Sequence, residues 1–268
     1  MDIKKKKIEL VTQTKYSFED LVSIVEILRS EEGCPWDREQ DHKSIRDDLI
    51  EETYEVIEAI DIEDPVLLRE ELGDVLLQLV FHARIECEEG RFDMADVAND
   101  ICAKMIHRHP HVFGEVTADT TAQVLSNWEK IKSEEKERVT VTDKLRAIPP
   151  MLPALMRATK VGKKASMFDF ENAELVMDKL AEEMVEVSEA IEAKSEENIE
   201  EEIGDLLLTV TSLCRKLGVN PEQALNKATD KFIGRFEKIE NIVISENKDI
   251  KKVKMEELDA IWEKIKHS

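Results

Sequence analysis

Aromatic residues are scarce in this chain: Phe, Trp and Tyr together supply 5% of its 268 residues, and only 8 glycines and 7 prolines punctuate it. Alternating strand-like runs and Asn-Gly turns are missing as well, which excludes the signature of sandwiches and barrels. Four cysteines, Cys34, Cys87, Cys102 and Cys214, lie far apart without a CxxC pair. That spacing argues against a disulfide framework or a thiolate zinc site and predicts reduced, mostly buried thiols. No stretch approaches the roughly 18 apolar residues of a membrane span. The lysines at 4–7 precede Ile8-Glu9-Leu10-Val11, which is no signal-peptide core, so the run reads as a solvated tail and the protein as cytoplasmic. Acidic residues outnumber basic ones by 60 to 38, for a net charge of −22. Such a surface repels nucleic acid and anionic membranes. A polyanionic ligand would need a metal ion or a local basic pocket.

What the chain does have is charge and repetition. Charged residues make up 37% and hydrophobic ones 42%, a mixture that favours helices with real cores. Glu51-Glu52-Thr53-Tyr54-Glu55 recurs as Glu182-Glu183-Met184-Val185-Glu186, and Glu70-Glu71-Leu72-Gly73-Asp74 as Glu201-Glu202-Ile203-Gly204-Asp205, both at an offset of 131. Asn99, Lys104 and Arg108 return as Asn226, Lys231 and Arg235, and Trp128-Glu129-Lys130-Ile131-Lys132 as Trp262-Glu263-Lys264-Ile265-Lys266. An aromatic–Asp pair precedes each acidic segment, Trp36-Asp37 and Phe168-Asp169. Five echoes in one order mean a tandem duplication. The modules are expected at 16–138 and 150–268, joined by a connector over 139–149, within the stretch Val139–Pro153 whose Thr140, Thr142, Pro149, Pro150 and Pro153 should stop helices. Apolar periodicity predicts helices over 45–60 and 67–85, and again through Leu175, Leu180, Met184, Val187 and Ile191. The expected fold is all-α, with a helical bundle in each half.

Within each module the carboxylates are spaced for convergence. Glu52 and Glu55 are i, i+3 on one helix, as are Glu71 and Asp74 on the next, so four acids can meet if the helices pack antiparallel. Two like charges 4 Å apart repel by about 4 kcal/mol at an effective dielectric near 20, so such a cluster calls for a cation. Because every donor is oxygen, the natural occupant is Mg²⁺, with Mn²⁺ a possible substitute. Glu183, Glu186, Glu202 and Asp205 repeat the pattern. Gly73 and Gly204 each cost their helix about 1 kcal/mol relative to alanine, which suggests close approach by another backbone or a ligand. Lys104 with Arg108, and Lys231 with Arg235, are i, i+4 pairs able to face phosphates.

With these motifs, and with Cys34-Pro35-Trp36-Asp37, Arg108-His109-Pro110-His111-Val112-Phe113 and Leu152-Pro153-Ala154-Leu155-Met156-Arg157-Ala158, the sequence resembles the MazG family of nucleoside triphosphate pyrophosphohydrolases from about Phe18 to Lys266. The resemblance implies an all-α NTP pyrophosphatase fold, a homodimer, and Mg²⁺-dependent hydrolysis of NTP to NMP and diphosphate by attack of water on the α-phosphate. It further implies Glu183, Glu186, Glu202 and Asp205 as the catalytic metal ligands, with Glu52, Glu55, Glu71 and Asp74 their equivalents in the first module. Lys179, Glu182, Lys231, Arg235 and Trp262 would bind substrate. Phe168 and Trp36 read first as core residues, with base stacking an open second role. Some relatives carry a further domain in front, for which the residues ahead of the first module leave no room.

The two sites are not expected to be equal. Lys179 aligns with Asp48, and Lys163 and Lys164 with Glu31 and Glu32, so acids replace bases where an anionic substrate should enter. The second module is therefore expected to dominate catalysis. Two other readings compete. A di-iron oxidase would need ExxH pairs, but the corresponding positions end in Asp74 and Asp205. A non-catalytic nucleotide-binding helical adaptor would keep the metal and lack turnover. His107, His109 and His111 have no counterpart in the second module and surround Pro110, which favours a structural role over a metal cluster.

Overall fold

The computed structural model describes residues 2–135 and 140–266, and every regular element among them is helical. The first helices are α1 (Ile3–Thr12), α2 (Phe18–Leu28), α3 (Pro35–Glu39), α4 (Arg46–Asp61), α5 (Pro65–Glu88), α6 (Met94–Arg108), α7 (Pro110–Phe113) and α8 (Thr121–Glu135). There follow α9 (Val141–Arg146), α10 (Ala154–Lys164), α11 (Ala173–Ala193), α12 (Glu196–Lys216), α13 (Pro221–Ser245) and α14 (Met255–Lys266). The chain divides within α8 into two units, Met1–Lys132 and Ser133–Ser268.

Local chemistry sets most helix starts. Ser17 with Asp20, Asp93 with Asp96, and Thr140 with Asp143 form reciprocal capping boxes, each satisfying two otherwise orphaned backbone N–H groups. Asp64 and Asn220 cap α5 and α13 just ahead of Pro65 and Pro221, where proline's missing N–H costs nothing. Two expectations fail. The threonine-rich connector carries α9, because Thr140 and Asp143 start a helix instead of ending one; the expected boundary residues 138 and 139 lie outside the described residues. The lysine run is no tail: it lies in α1, where Lys6 pairs with Asp20 at 2.9 Å and Lys7 donates to the Glu32 carbonyl.

In the first unit α4 and α5 pack together, and α2 packs on α5. Their core gathers Val25, Ile45, Val80, Phe81 and Ile85. In the second unit α11 pairs with α12, α10 packs on α12 and α13, and α13 pairs with α14 around Ile239, Val243 and Ile261. Connections as short as Ile62–Asp64 and Lys194–Ser195 force the paired helices antiparallel. The duplication extends to the backbone. Glu63 and Lys194, 131 residues apart, both adopt left-handed φ, 58° and 54°, a conformation that costs a residue with Cβ about 1 kcal/mol or more.

Candidate metal and nucleotide site

Each short hairpin draws acids together. One carboxylate oxygen from each of Glu52, Glu55 and Glu71 lies within 4.8 Å of the other two, and Glu183, Glu186 and Glu202 repeat this in the second unit. The i, i+3 spacing on α4 and α11 puts two acids on one face, and the antiparallel partner helix supplies the third. One member of each triad is buried, Glu71 at 8% exposure and Glu183 at 4%. Asp74 and Asp205 stand outside the triads but bear on them electrostatically: Asp74 on Glu52 and Glu71, Asp205 on Glu202.

Burial and like-charge crowding leave their mark. Desolvation, followed by the charge of Asp74, raises the Glu52 carboxyl above its ordinary range; desolvation, followed by Glu55, does so for Glu71. Glu202 is raised by desolvation and then by Glu186. Carboxylates held together against their own repulsion, with oxygen donors alone, fit a hard divalent cation. No histidine joins either triad, which leaves the di-iron reading without its ligands.

The second triad has an internal cation. Lys179 Nζ lies 2.8 Å from Glu182, 3.1 Å from Glu183 and 3.7 Å from Glu186, and the first two, Glu182 foremost, raise its pKa. Lys179 and Glu182 thus form part of the carboxylate cluster. Lys231 is exposed on α13, one turn before Arg235, whose guanidinium lies 5.6 Å from the centre of the Trp262 ring. Phe232 meets the same ring at 5.4 Å. The α13–α14 hairpin bearing these groups packs mainly on itself and on α10; the carboxylates stand on α11–α12. Arg108 lies over Trp128 at 5.8 Å in the first unit, copying the Arg235–Trp262 stack.

Several expectations need correction. Phe168 is 91% exposed and Trp36 60%, so neither is a core residue. A Cβ added at Gly73 or Gly204 would meet nothing within 4 Å, so no other part of the chain approaches closely there. Lys163 lines a cavity at the C-terminal end of α12, about 20 Å along that helix from Glu202 at 1.5 Å per residue, and not the carboxylate cluster. The thiols are not mostly buried: Cys87 and Cys102 are exposed, and all four are free. His109 caps α6 and its Nδ1 meets the Met105 carbonyl at 2.7 Å, while Pro110 opens α7.

One cluster escaped sequence reasoning. His42 Nε2 lies 2.6 Å from Glu86, and His42 Nδ1 2.7 Å from His82 Nδ1. His82 and Glu86 are i, i+4 on α5, a spacing that was visible, but nothing in sequence placed His42 beside them. Among the described residues, no helix is long and apolar enough to cross a membrane.

Hairpins carrying converged carboxylates define a helical nucleotide-hydrolase architecture. The MazG nucleotide pyrophosphohydrolase domain matches twice, over residues 40–113 and 171–239, and the chain belongs to the MazG family. It is 46% identical to the nucleoside triphosphate pyrophosphohydrolase/pyrophosphatase MazG of Thermotoga maritima, over 93% of this chain and 95% of that one. Identity to the nucleoside triphosphate pyrophosphohydrolase of Escherichia coli K12 is 43%, over 92% and 95%. YabN of Bacillus subtilis is 41% identical over 94% of this chain, which spans 52% of that longer protein.

Proposed function

We propose that this chain is a nucleoside triphosphate pyrophosphohydrolase, converting NTP and water to NMP and diphosphate, with the second unit carrying most of the activity. The observation that carries the reading is the triad Glu183, Glu186 and Glu202, one member buried, on the hairpin that the family's domain covers. Glu183, Glu186 and Glu202, with Asp205 beside them, would hold Mg²⁺ or Mn²⁺, which would supply positive charge against the triphosphate and the leaving diphosphate.

The chain's own residues do the rest. A triad carboxylate accepts the proton of the water that attacks the α-phosphorus. Lys179, held at the cluster by Glu182 at 2.8 Å, swings its ammonium from carboxylate to phosphate oxygen when substrate arrives, a short movement for a flexible four-carbon stem. Lys231 and Arg235 offset charge on the departing diphosphate. Trp262, already under Arg235 and in tilted contact with Phe232, presents a surface for the nucleotide, and Phe168 offers a second, freely exposed ring.

A homodimer accompanies this reading. The catalytic hairpin exposes Leu175, Met184, Ile191, Ile203, Leu207 and Leu208, an apolar area that a second copy would cover. Residence in the cytoplasm fits free thiols and the acidic surface. The test is product analysis with Mg²⁺ and with chelator: NMP and diphosphate should appear only with the ion, and should vanish in the E183Q/E186Q variant. Metal binding without turnover in the unaltered protein would turn the reading to a nucleotide-binding adaptor.

A further inference from the structure

A concentration of positive charge in this acidic chain lies away from the carboxylates. Helix α10 carries Arg157, Lys160, Lys163 and Lys164 and no acid. Their three-to-four residue spacing makes one basic stripe. Lys160 and Lys163 line a cavity of about 400 Å³ together with Thr159, Arg215, Asn220 and the turn at Gly218, within the size range of small-molecule sites.

Close packing shapes the floor of this cavity. Gly162 presents bare backbone to Arg215, and a Cβ there would stand 3.0 Å from the guanidinium Nε. Asp169 accepts from both Arg215 and Lys216, the latter at 2.7 Å. The other nearby acid, Glu222, accepts from the Met156 backbone N–H at 3.2 Å. Both acids therefore have partners, whereas Lys160 and Lys163 form no ion pair among the described residues. In a protein with a net charge of −22, two lysines without ion pairs over the half-buried Arg215 guanidinium are a local reversal of sign, and such a reversal attracts anions. The first unit has no copy: Leu28 and Glu31 stand at the positions of Lys160 and Lys163 in the 132-residue register set by the aromatic–Asp pair.

We propose that α10 and the C-terminal end of α12 form a second anion site, separate from the carboxylate hairpin, that binds the phosphate groups of a small molecule. It takes either free diphosphate or the phosphate chain of a nucleotide, held by Lys160, Lys163 and the outer edge of Arg215. Unlike the carboxylate triad, it needs no metal ion.

The experiment is calorimetric titration of the full chain with pyrophosphate and with a nucleoside triphosphate, in chelator, at low salt. Binding should occur without divalent cation, weaken as salt rises, and weaken by about tenfold or more in the K160Q/K163Q variant, whose substitutions lie on exposed positions. The E183Q/E186Q variant should bind as the unaltered protein does, which separates this site from catalysis. Equal affinity for the two probes assigns the site to the phosphate chain alone, and tighter nucleotide binding assigns it to a nucleotide. The charge-preserving K160R/K163R variant should retain binding. Absence of metal-free binding, equal binding by K160Q/K163Q, or loss in K160R/K163R as well would overturn the proposal.

Discussion

The two carboxylate triads have the same spacing, the same hairpin and the same left-handed turn residue, yet they balance their charge differently. In the second, Lys179 reaches three glutamates. In the first, Asp48 occupies the matching place on α4, and burial with mutual repulsion raises both Glu52 and Glu71. The Lys179 ammonium places a positive charge among the acids of the second cluster. The duplicated scaffold therefore holds opposite charges at one matching position, Lys179 in one copy and Asp48 in the other.

The largest expected effect tests that asymmetry. In the full chain, E183Q/E186Q should lower diphosphate release by about a hundredfold or more, while E52Q/E55Q should leave it within a few-fold. Equal losses would break the comparison. Next, Lys179→Asp should make the second site resemble the first, lowering both turnover and the melting temperature in chelator. Unchanged metal-free stability would show that the ammonium contributes nothing to the cluster.

A smaller effect concerns pH. Glu71 has a raised carboxyl, so the folded state holds its proton more tightly than the unfolded one. Its stabilising contribution is present at low pH and is lost as pH rises through the folded value. In chelator, Glu71→Gln should flatten that decline and raise the melting temperature at neutral pH, and saturating divalent cation should remove the decline in the unaltered protein. A pH profile that is the same with and without ion would sink the metal assignment for the first unit.

The smallest expected effect is peculiar to the first unit. Burial, then the charge of His42, lowers His82 from 6.5. The unfolded chain takes up that proton first, so stability should fall as pH drops below about 6.5. Glu86, lowered to about 2 chiefly by Arg91 and also by His42, adds stability that is lost as pH falls from about 4.5 toward 2. His82→Gln should abolish the first of these slopes and leave the second.

Much of this was legible in sequence because it is local. Helices α4, α5, α11 and α12 follow from apolar period and caps, and the i, i+3 carboxylates from helix geometry alone. Less legible was where apolar faces go: Ile60, Leu72, Leu79 and Met184 keep the helical period, yet they are exposed at 53%, 52%, 46% and 62%. Period records that a face is apolar and not what covers it. Phe168 and Trp36 misled for a related reason, since large rings are usually buried.

By itself the sequence determined the duplication, the all-helical architecture and the i, i+3 pairing of the acids on their helices, because repeats and helical spacing are properties of neighbours along the chain. Only the tertiary structure decided that Glu71 and Glu183 are the buried members, that Glu71 and Glu202 complete the triads while Asp74 and Asp205 lie outside them, and that His42 reaches His82 and Glu86. Each of these depends on how far one helix slides and turns against another, and a shift of one residue, 1.5 Å of rise and about 100° of rotation, would exchange one glutamate for the next.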